Sequence, residues 1–544
     1  MKKILVVLFI FSFSLCEGQN WCWGKEGIVD LKSANVTSYV ATNRYGNAYL
    51  TGAFSMYMIF GNDTLMPIVG CTSMYLAKFA PNGTVLWARC PISISSTSLR
   101  SCGNAVLTDA NDYSYVTGSS MYDTLVFGND TLSKGGFFVK YSPNGQLLWA
   151  KSYCGIAMCF DKHGNICMAT RDSIMKFTQS GNLLVKKSVP YTNYYSITSD
   201  DSLNIFAISR KDSSNGSYNS RIPLCIKYDS NISLLWVRRP TIPNIYGGGQ
   251  STSVITDNKN NSYFTGYFWD SLNFAGHLLS CDVPKSIHSP DRHMCSIYLV
   301  KYSAGGQFLW VKQSTDAHAW KGTSLAKDNS NQIYLGGWGI NADSLDFDGT
   351  LLTMVSNTGH DASFIMKLDT NGLVERGSLL RNGTIADFDL NIAINGQLVN
   401  EIAVDSAGIY DYLIGLFQQD TIICNNDTMV SSIGGQDCYI SRWTTGECTV
   451  DNATETIKNT APSITLFPDP NTGRFTISFA GTLNFMSSTI EIYNVLGEKV
   501  YSQSNIQNPT FKIDLLNQPN GVYLYRIISQ NGDLIGEGKL IIAK

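Results

Sequence analysis

The sequence predicts an all-β chain: a β-propeller of about seven four-stranded blades, then a small C-terminal β-sandwich. Two recurring phrases and one shift of composition predict it. The first phrase reads strand, tight turn, strand, as in Lys140 to Lys151 (KYSPNGQLLWAK). It returns at Lys78 to Arg89, Lys227 to Arg238 and Lys301 to Lys312, with weaker copies at Lys176 to Lys187 and Lys367 to Glu375. Pro presets φ and Gly accepts a positive φ, so Ser142-Pro143-Asn144-Gly145 has the chemistry of a turn. The second phrase is a polar turn and an aromatic strand closing on Thr-Gly or Gly-Gly. It occurs at Asn43 to Gly52, Asp109 to Gly118, Asp257 to Gly266 and Asp328 to Gly337, and more loosely from Asp161, Asp200 and Asp405. The composition shift lies at 447–462 and divides propeller from sandwich.

Taken in order, residues 1–18 read as a signal peptide. Lys2 and Lys3 precede an apolar run from Ile4 to Leu15, and Cys16, Glu17 and Gly18 follow. Cys16 admits a lipoprotein reading, against which the bulky Leu15 counts. No later stretch approaches the roughly twenty apolar residues of a transmembrane helix. Charged residues make up only 15% of the chain and aromatics 12%, as suits an exported β protein. The 40 basic and 43 acidic residues balance to −3 without a basic stripe, which excludes nucleic acid as an expected partner.

Residues 19–446 form the predicted propeller. A third phrase lies inside each unit: Phe60 to Leu65 and Phe127 to Leu132 (both FGNDTL), Leu272 to Gly276, Leu345 to Gly349 and Cys424 to Met429. Read with the others, it supplies the second of four strands per blade. Units start near 43, 109, 161, 200, 257, 328 and 405, although the short units at 161 and 200 also fit six or eight blades. The last unit stops at Cys438 to Trp443 without a Leu-Trp strand. Trp21-Cys22-Trp23-Gly24-Lys25 resembles the missing strand, and an open sheet edge would be sticky. The N-terminal strand is therefore expected to close the last blade.

The recurring Asp residues suggest calcium, but the ordered ligand spacing of a calcium loop is incomplete, and an Asx turn explains them better. Asn62, Asn129 and Asn426 fit N-glycosylation acceptors only on paper and read as turn chemistry. Of 14 cysteines, Cys281 and Cys295 bracket a polar insertion and are expected to form a disulfide, with Cys424 and Cys438 a second candidate pair. His288, Asp291 and His293 inside that insertion are too few to complete a metal site. No nucleophile elbow, His-Glu-x-x-His run or phosphate loop occurs. Neither catalytic residues, nor metal ligands, nor a cofactor are expected.

Residues 447–462 read as a linker, and 463–544 as a separate β module with alternating strands such as Thr489 to Tyr493 and Val522 to Ile527. Its motifs carry a resemblance. Leu466-Phe467-Pro468-Asp469-Pro470-Asn471-Thr472-Gly473 resembles the opening of the type A C-terminal sorting domain of type IX secretion, with Asp469 where that family usually has Asn. Ile492 to Gly497 resembles its middle motif, Asp514-Leu515 with Gly521-Val522-Tyr523 its third, and Lys539 to Ile542 its last strand. The resemblance implies the type IX secretion machinery as partner, and passage through the periplasm to the outer-membrane surface or medium of a Gram-negative bacterium. The blade phrases are similar to the SBBP-type propeller repeat, which implies fold rather than activity. In this bacterial group Asp63-Thr64-Leu65 and Asp130-Thr131-Leu132 resemble O-glycosylation acceptors. Gly521 is expected to refuse a β-branched residue if its φ is positive.

Two functions follow as expectations. One is a non-enzymatic binding or adhesion module for an extracellular glycan or protein. The other is a polysaccharide hydrolase or lyase with paired carboxylates on the propeller face.

Overall fold

The computed structural model describes residues 21–29, 38–281, 295–381, 401–443 and 463–544, apart from short stretches within these spans. Every regular element among the described residues is a β-strand. The chain divides into two compact units, Met1–Cys448 and Thr449–Lys544.

The first unit is a succession of antiparallel four-stranded sheets. The first comprises Ser38–Thr42, Ala48–Ser55, Thr72–Phe79 and Val85–Arg89, and the second Ser101–Thr108, Ser114–Ser120, Phe137–Tyr141 and Leu147–Lys151. The third to sixth follow the same order, with first strands at Ala157–Phe160, Ser196–Ser199, Gly248–Thr256 and Ala319–Lys327. In the seventh sheet Glu401–Val404, Asp411–Gln418 and Gln436–Trp443 are completed by Trp21–Val29, the strand that comes first in the chain. Trp21 pairs with Trp443 and Lys25 with Ile440, as the unfinished last repeat required. Each first strand touches the first strand of the following sheet, and Glu401–Val404 touches Ser38–Thr42, so the succession returns on itself.

The strand order differs from the sequence expectation in one respect. The Phe-Gly phrases are not blade strands but two-stranded hairpins, Met58–Phe60 with Asp63–Leu65 and Leu125–Phe127 with Asp130–Leu132 among them. The missing strand lies before the polar turn and was hidden by its small, polar sequence, as in Ser101–Thr108 (SCGNAVLT). The third and fourth sheets lack such a hairpin among the described residues, which explains their short repeats. Chain leaving one sheet pairs with the hairpin of the next: Ile92 with Val126, Thr241 with Asn273, Ser314 with Phe347, and Ile28 with Ile59. Asp63 and Asp130 accept the Ala88 and Ala150 N–H groups (2.8 and 2.9 Å), occupying donors of outer strands that would otherwise template aggregation.

The Thr-Gly pairs fit the first strand against the second. Thr117 donates to the Phe137 carbonyl (2.9 Å) and accepts from Gly155 N–H, just before the third sheet (2.9 Å). A Cβ on Gly118 would lie 2.0 Å from the Cys102 carbonyl, at a register shift in the strand pair. Only glycine permits that approach.

The second unit holds two sheets. Ser463–Phe467, Arg474–Ala480 and Thr510–Asp514 form one, and Ser488–Asn494, Lys499–Ile506, Gly521–Ile528 and Leu534–Ile542 the other. Phe475, Ile477 and Ile513 from the first pack with Ile490, Ile492, Tyr525 and Leu540 from the second in one buried cluster. Alternation along Gly521–Ile528 puts Tyr523, Tyr525 and Ile527 inside and leaves Val522 and Leu524 exposed.

Candidate functional site

The turn carboxylates are the most regular polar feature, and they are occupied. Asp200 Oδ1 accepts the Ser202 and Asn204 N–H groups (3.0 and 2.8 Å), the geometry of an Asx turn. Its Oδ2 accepts Asn204 Nδ2 (2.9 Å) and faces Lys227 Nζ at 3.2 Å. Asp161 with Lys176 (3.1 Å) and Asp257 with Lys301 (3.8 Å) repeat the pattern. Burial pushes the Asp161 carboxyl up, but hydrogen bonds from Asn165 and Lys176 outweigh it and hold it below the usual range. The first sheet has Asn43 in place of Asp. There Asp112 of the second sheet supplies the charge, 2.6 Å from Lys78 Nζ and 2.6 Å from the Tyr49 hydroxyl. Among the described residues no group of three His, Cys, Asp or Glu is placed to hold a metal ion.

Lysines at this strand position also reach the carbonyl at the same turn position of the next sheet. Lys78 donates to Pro143 (3.0 Å), Lys140 to Gln179 (3.4 Å), Lys227 to Ala304 (3.0 Å) and Lys301 to Thr370 (2.8 Å). In the seventh sheet Arg442 takes the lysine position and reaches Pro81 of the first sheet (3.4 Å). The seam is thus built like the other junctions, with one exception. Ser196 and Ser253 accept the Val254 and Leu325 N–H groups of the following sheet (3.4 and 3.0 Å), whereas at the seam Glu401 Oε2 accepts Val40 N–H (2.7 Å). Burial raises the Glu401 carboxyl to about 8 against that hydrogen bond. Asp411 is also raised to about 8, by burial and by Asp405.

The other end of the sheets differs from one repeat to the next. Ten residues after the turn Asp stand Arg210, Tyr267 and Trp338 in three consecutive sheets, where the second sheet has Ser119. Seven residues before the turn Asp, Gln250 and Lys321 pair across strands with Tyr267 and Trp338. Gln250, 3% exposed, accepts from the Tyr267 hydroxyl (3.4 Å) and from Arg210 Nη1 (3.5 Å). Lys321 Nζ lies 5.0 Å from the Tyr267 ring centroid and 4.8 Å from that of Trp338. Trp269 stands 6.5 Å from Tyr267, and a Cβ on Gly248 would strike its indole at 2.5 Å. Arg210 is charge-paired to Asp212 at 3.1 Å, while Lys321 and Arg221 have no anionic partner among the described residues. Aromatic faces and unneutralised cations gathered on a rigid rim can hold a ligand by stacking and charge together. Sequence reading missed this group, because its signal is a repeat position that departs from the repeat.

The residues singled out in the sequence fall elsewhere. Cys281 and Cys295 stand as thiols near enough to interact, and burial pushes the Cys295 thiol up to about 12. Cys424 and Cys438 lie on strands of the seventh sheet and its hairpin, and of their side chains nothing is described. The signal peptide, the linker, His288 to His293 and Pro468-Asp469-Pro470 lie outside the described residues. In the second unit Gly473 and Gly497 have φ of +97° and +81°, Asp514 accepts from Arg474 (2.9 Å), and the buried Tyr523 donates to the Pro519 carbonyl (2.8 Å). Gly521 does not have a positive φ, and nothing lies within 4 Å of a Cβ built there, which corrects the expectation of strain.

Residues 465–543 match the family of the secretion system C-terminal sorting domain. That tail marks the chain for export and for contact with the type IX secretion machinery. Among the described residues no helix is long and apolar enough to cross a membrane. No curated protein matches the chain. Among solved structures it is similar to a protein of unknown function from Dyadobacter fermentans, at 10% identity and TM-score 0.41, covering 79% of this chain and 99% of that one. It is similar to the Pan2 WD40 domain of Neurospora crassa at 9% identity and TM-score 0.37, covering 76% and 90%. It is also similar to PorZ of Porphyromonas gingivalis, described as a surface component of the type IX secretion system, at 9% identity and TM-score 0.24, covering 92% and 73%. Identities this low carry no activity across.

Proposed function

We propose that a chain ending in a secretion sorting domain is here an exported, non-enzymatic binding module, displayed at the cell surface or released. The reading takes 1–18 as leader, 19–446 as a seven-bladed propeller closed by its N-terminal strand, 447–462 as linker and 463–544 as a two-sheet sorting sandwich. The observation that carries binding is the rim of Arg210, Gln250, Tyr267, Lys321 and Trp338, which spans three sheets and is needed by none of the repeated junctions. The alternative, a polysaccharide hydrolase or lyase, draws on the two raised carboxyls, Glu401 and Asp411. These sit at opposite ends of one strand pair, Glu401 beside Ile414 and Asp411 beside Val404, and Glu401 is engaged at the seam. A catalytic pair facing one sugar would be about 5 to 9.5 Å apart across a shared cleft. Screening the mature protein against glycan arrays and chromogenic polysaccharides tests the reading. Retention of glycan or protein ligands without turnover supports it, and release of product overturns it. Removing 463–544 should leave a folded propeller trapped in the periplasm, and normal surface levels of that truncation would refute the export assignment.

A further inference from the structure

Lys321 is a half-buried ammonium with two aromatic rings beside it and no hydrogen-bond acceptor or carboxylate among the described residues. An ammonium has three donors, and taking it from water without acceptors is costly unless the rings, solvent or a ligand compensate. Two rings within about 6 Å of the cation supply part of that compensation and hold the side chain in place. Its N–H groups are left to solvent or to a ligand. Arg221, exposed on the neighbouring sheet opposite Asp212 in the strand pair, carries a second charge that forms no ion pair among the described residues, and its carbonyl lies 3.2 Å from a Cβ placed on Gly248. That glycine lets the Trp269 indole lie over the strand, its ring centroid 6.5 Å from that of Tyr267. Aromatic rings and cations gathered in one neighbourhood fit a pyranose ring bearing a carboxylate or sulfate: the ring stacks and the anion pairs.

We infer that the rim formed by Tyr267, Trp269, Lys321 and Arg221 binds an anionic polysaccharide, with Trp338, only 8% exposed, holding the Lys321 side chain. This rests on the binding-module reading and adds the class of ligand. Gln250, nine-tenths buried and hydrogen-bonded to Arg210 and Tyr267, is a positioning residue that fixes the tyrosine ring.

The full mature chain is titrated with three polymers: polygalacturonate, with rings and carboxylates; polyglutamate, with carboxylates alone; and an unsubstituted glucan, with rings alone. Polygalacturonate should bind at least tenfold more tightly than either control, with affinity falling as salt rises. Lys321→Gln and Trp269→Ala should each weaken it about tenfold or more, and Lys321→Arg should restore it, because charge and ring contact are both kept. Circular dichroism and melting curves on each variant exclude unfolding as the cause. Equal binding of polyglutamate, or polygalacturonate binding that survives Lys321→Gln and Arg221→Gln, overturns the inference. Preferential glucan binding lost in Trp269→Ala also overturns it, yet leaves the binding module standing. No binding of any polymer, with a protein ligand captured elsewhere on the chain, overturns it and again spares that reading. Cleavage of polygalacturonate refutes the non-enzymatic reading itself.

Discussion

Glu401 does at the seam what serine does at other junctions, and the exchange makes the ring sensitive to pH. Its carboxyl is near 4.5 in the unfolded chain and about 8 in the fold. Below pH 4.5 both states hold the proton. As pH rises from 4.5 to 8 the unfolded chain releases it and the folded one does not, so stability falls across that window. Above about 8 the loss is complete, up to about 5 kcal/mol for a shift of this size. Asp411 acts in the same direction over the same window. Melting of Glu401→Gln followed from pH 5 to 9 should show a clearly flatter decline than the parent, and parallel curves would refute the assignment. In the second unit the sign reverses. Glu491 is held at about 2 by Lys499, Tyr493 and Arg526, so its contribution is present above pH 4.5 and is lost as pH falls toward 2.

At the scale of the element, the polar turn ties strands within a sheet and sheets to each other. Asp200→Ala removes two N–H acceptors and the charge opposite Lys227, which is 5% exposed. Breaking such a buried pair should cost about 3 kcal/mol, and Asp200→Asn, which keeps the turn but loses the charge, should cost less. Urea denaturation of both variants decides it: equal losses would mean that the turn alone matters. Turn glycines in the second unit behave unequally. A side chain on Gly473 needs a positive φ and brings its Cβ within 3.0 Å of the Leu516 Cα. Gly473→Ala should therefore destabilise by about 1 to 2 kcal/mol, while Gly521→Val, in an open extended position, should leave melting within about 0.5 kcal/mol of the parent. Equal losses would contradict the two backbone conformations.

Closure belongs to the whole molecule. Trp21–Val29 completes the seventh sheet and then pairs with Met58–Phe60 of the hairpin beside the first sheet. Arg442 with Pro81, Glu401 with Val40 and the Tyr412 hydroxyl with the Gly46 carbonyl (2.6 Å) bridge the same seam. Deleting residues 19–30 should consequently lower the melting temperature of the whole propeller and expose an edge that aggregates. Hydrogen exchange that quickens only in the seventh sheet would show instead that the ring holds without its closing strand. The Cys281–Cys295 disulfide is proposed on the same scale, since a bridge across the 282–294 insertion would restrict the unfolded chain by about 3 kcal/mol. Non-reducing peptide mapping of exported protein should find it, and two alkylated thiols would exclude it.

What the sequence determined by itself is whatever repeats. Lys-Tyr turns, Asp turns and Thr-Gly closes are local chemistry, legible because each copy solves the same steric and hydrogen-bonding problem. The need for an N-terminal strand in the last sheet followed from an unfinished copy, and the sorting tail from motifs in a fixed order. The tertiary structure decided what depends on neighbours far away in the chain. The first strand of each sheet was hidden because its small and polar residues, as in Ser101–Thr108, are shaped by the sheets on either side rather than by an alternating pattern. Glu401 meets Val40 across most of the propeller chain, so no local signal could mark the carboxyl as buried. The rim was equally silent: Arg210, Tyr267, Lys321 and Trp338 lie in separate repeats, and only the packing of three sheets brings those cations and rings together.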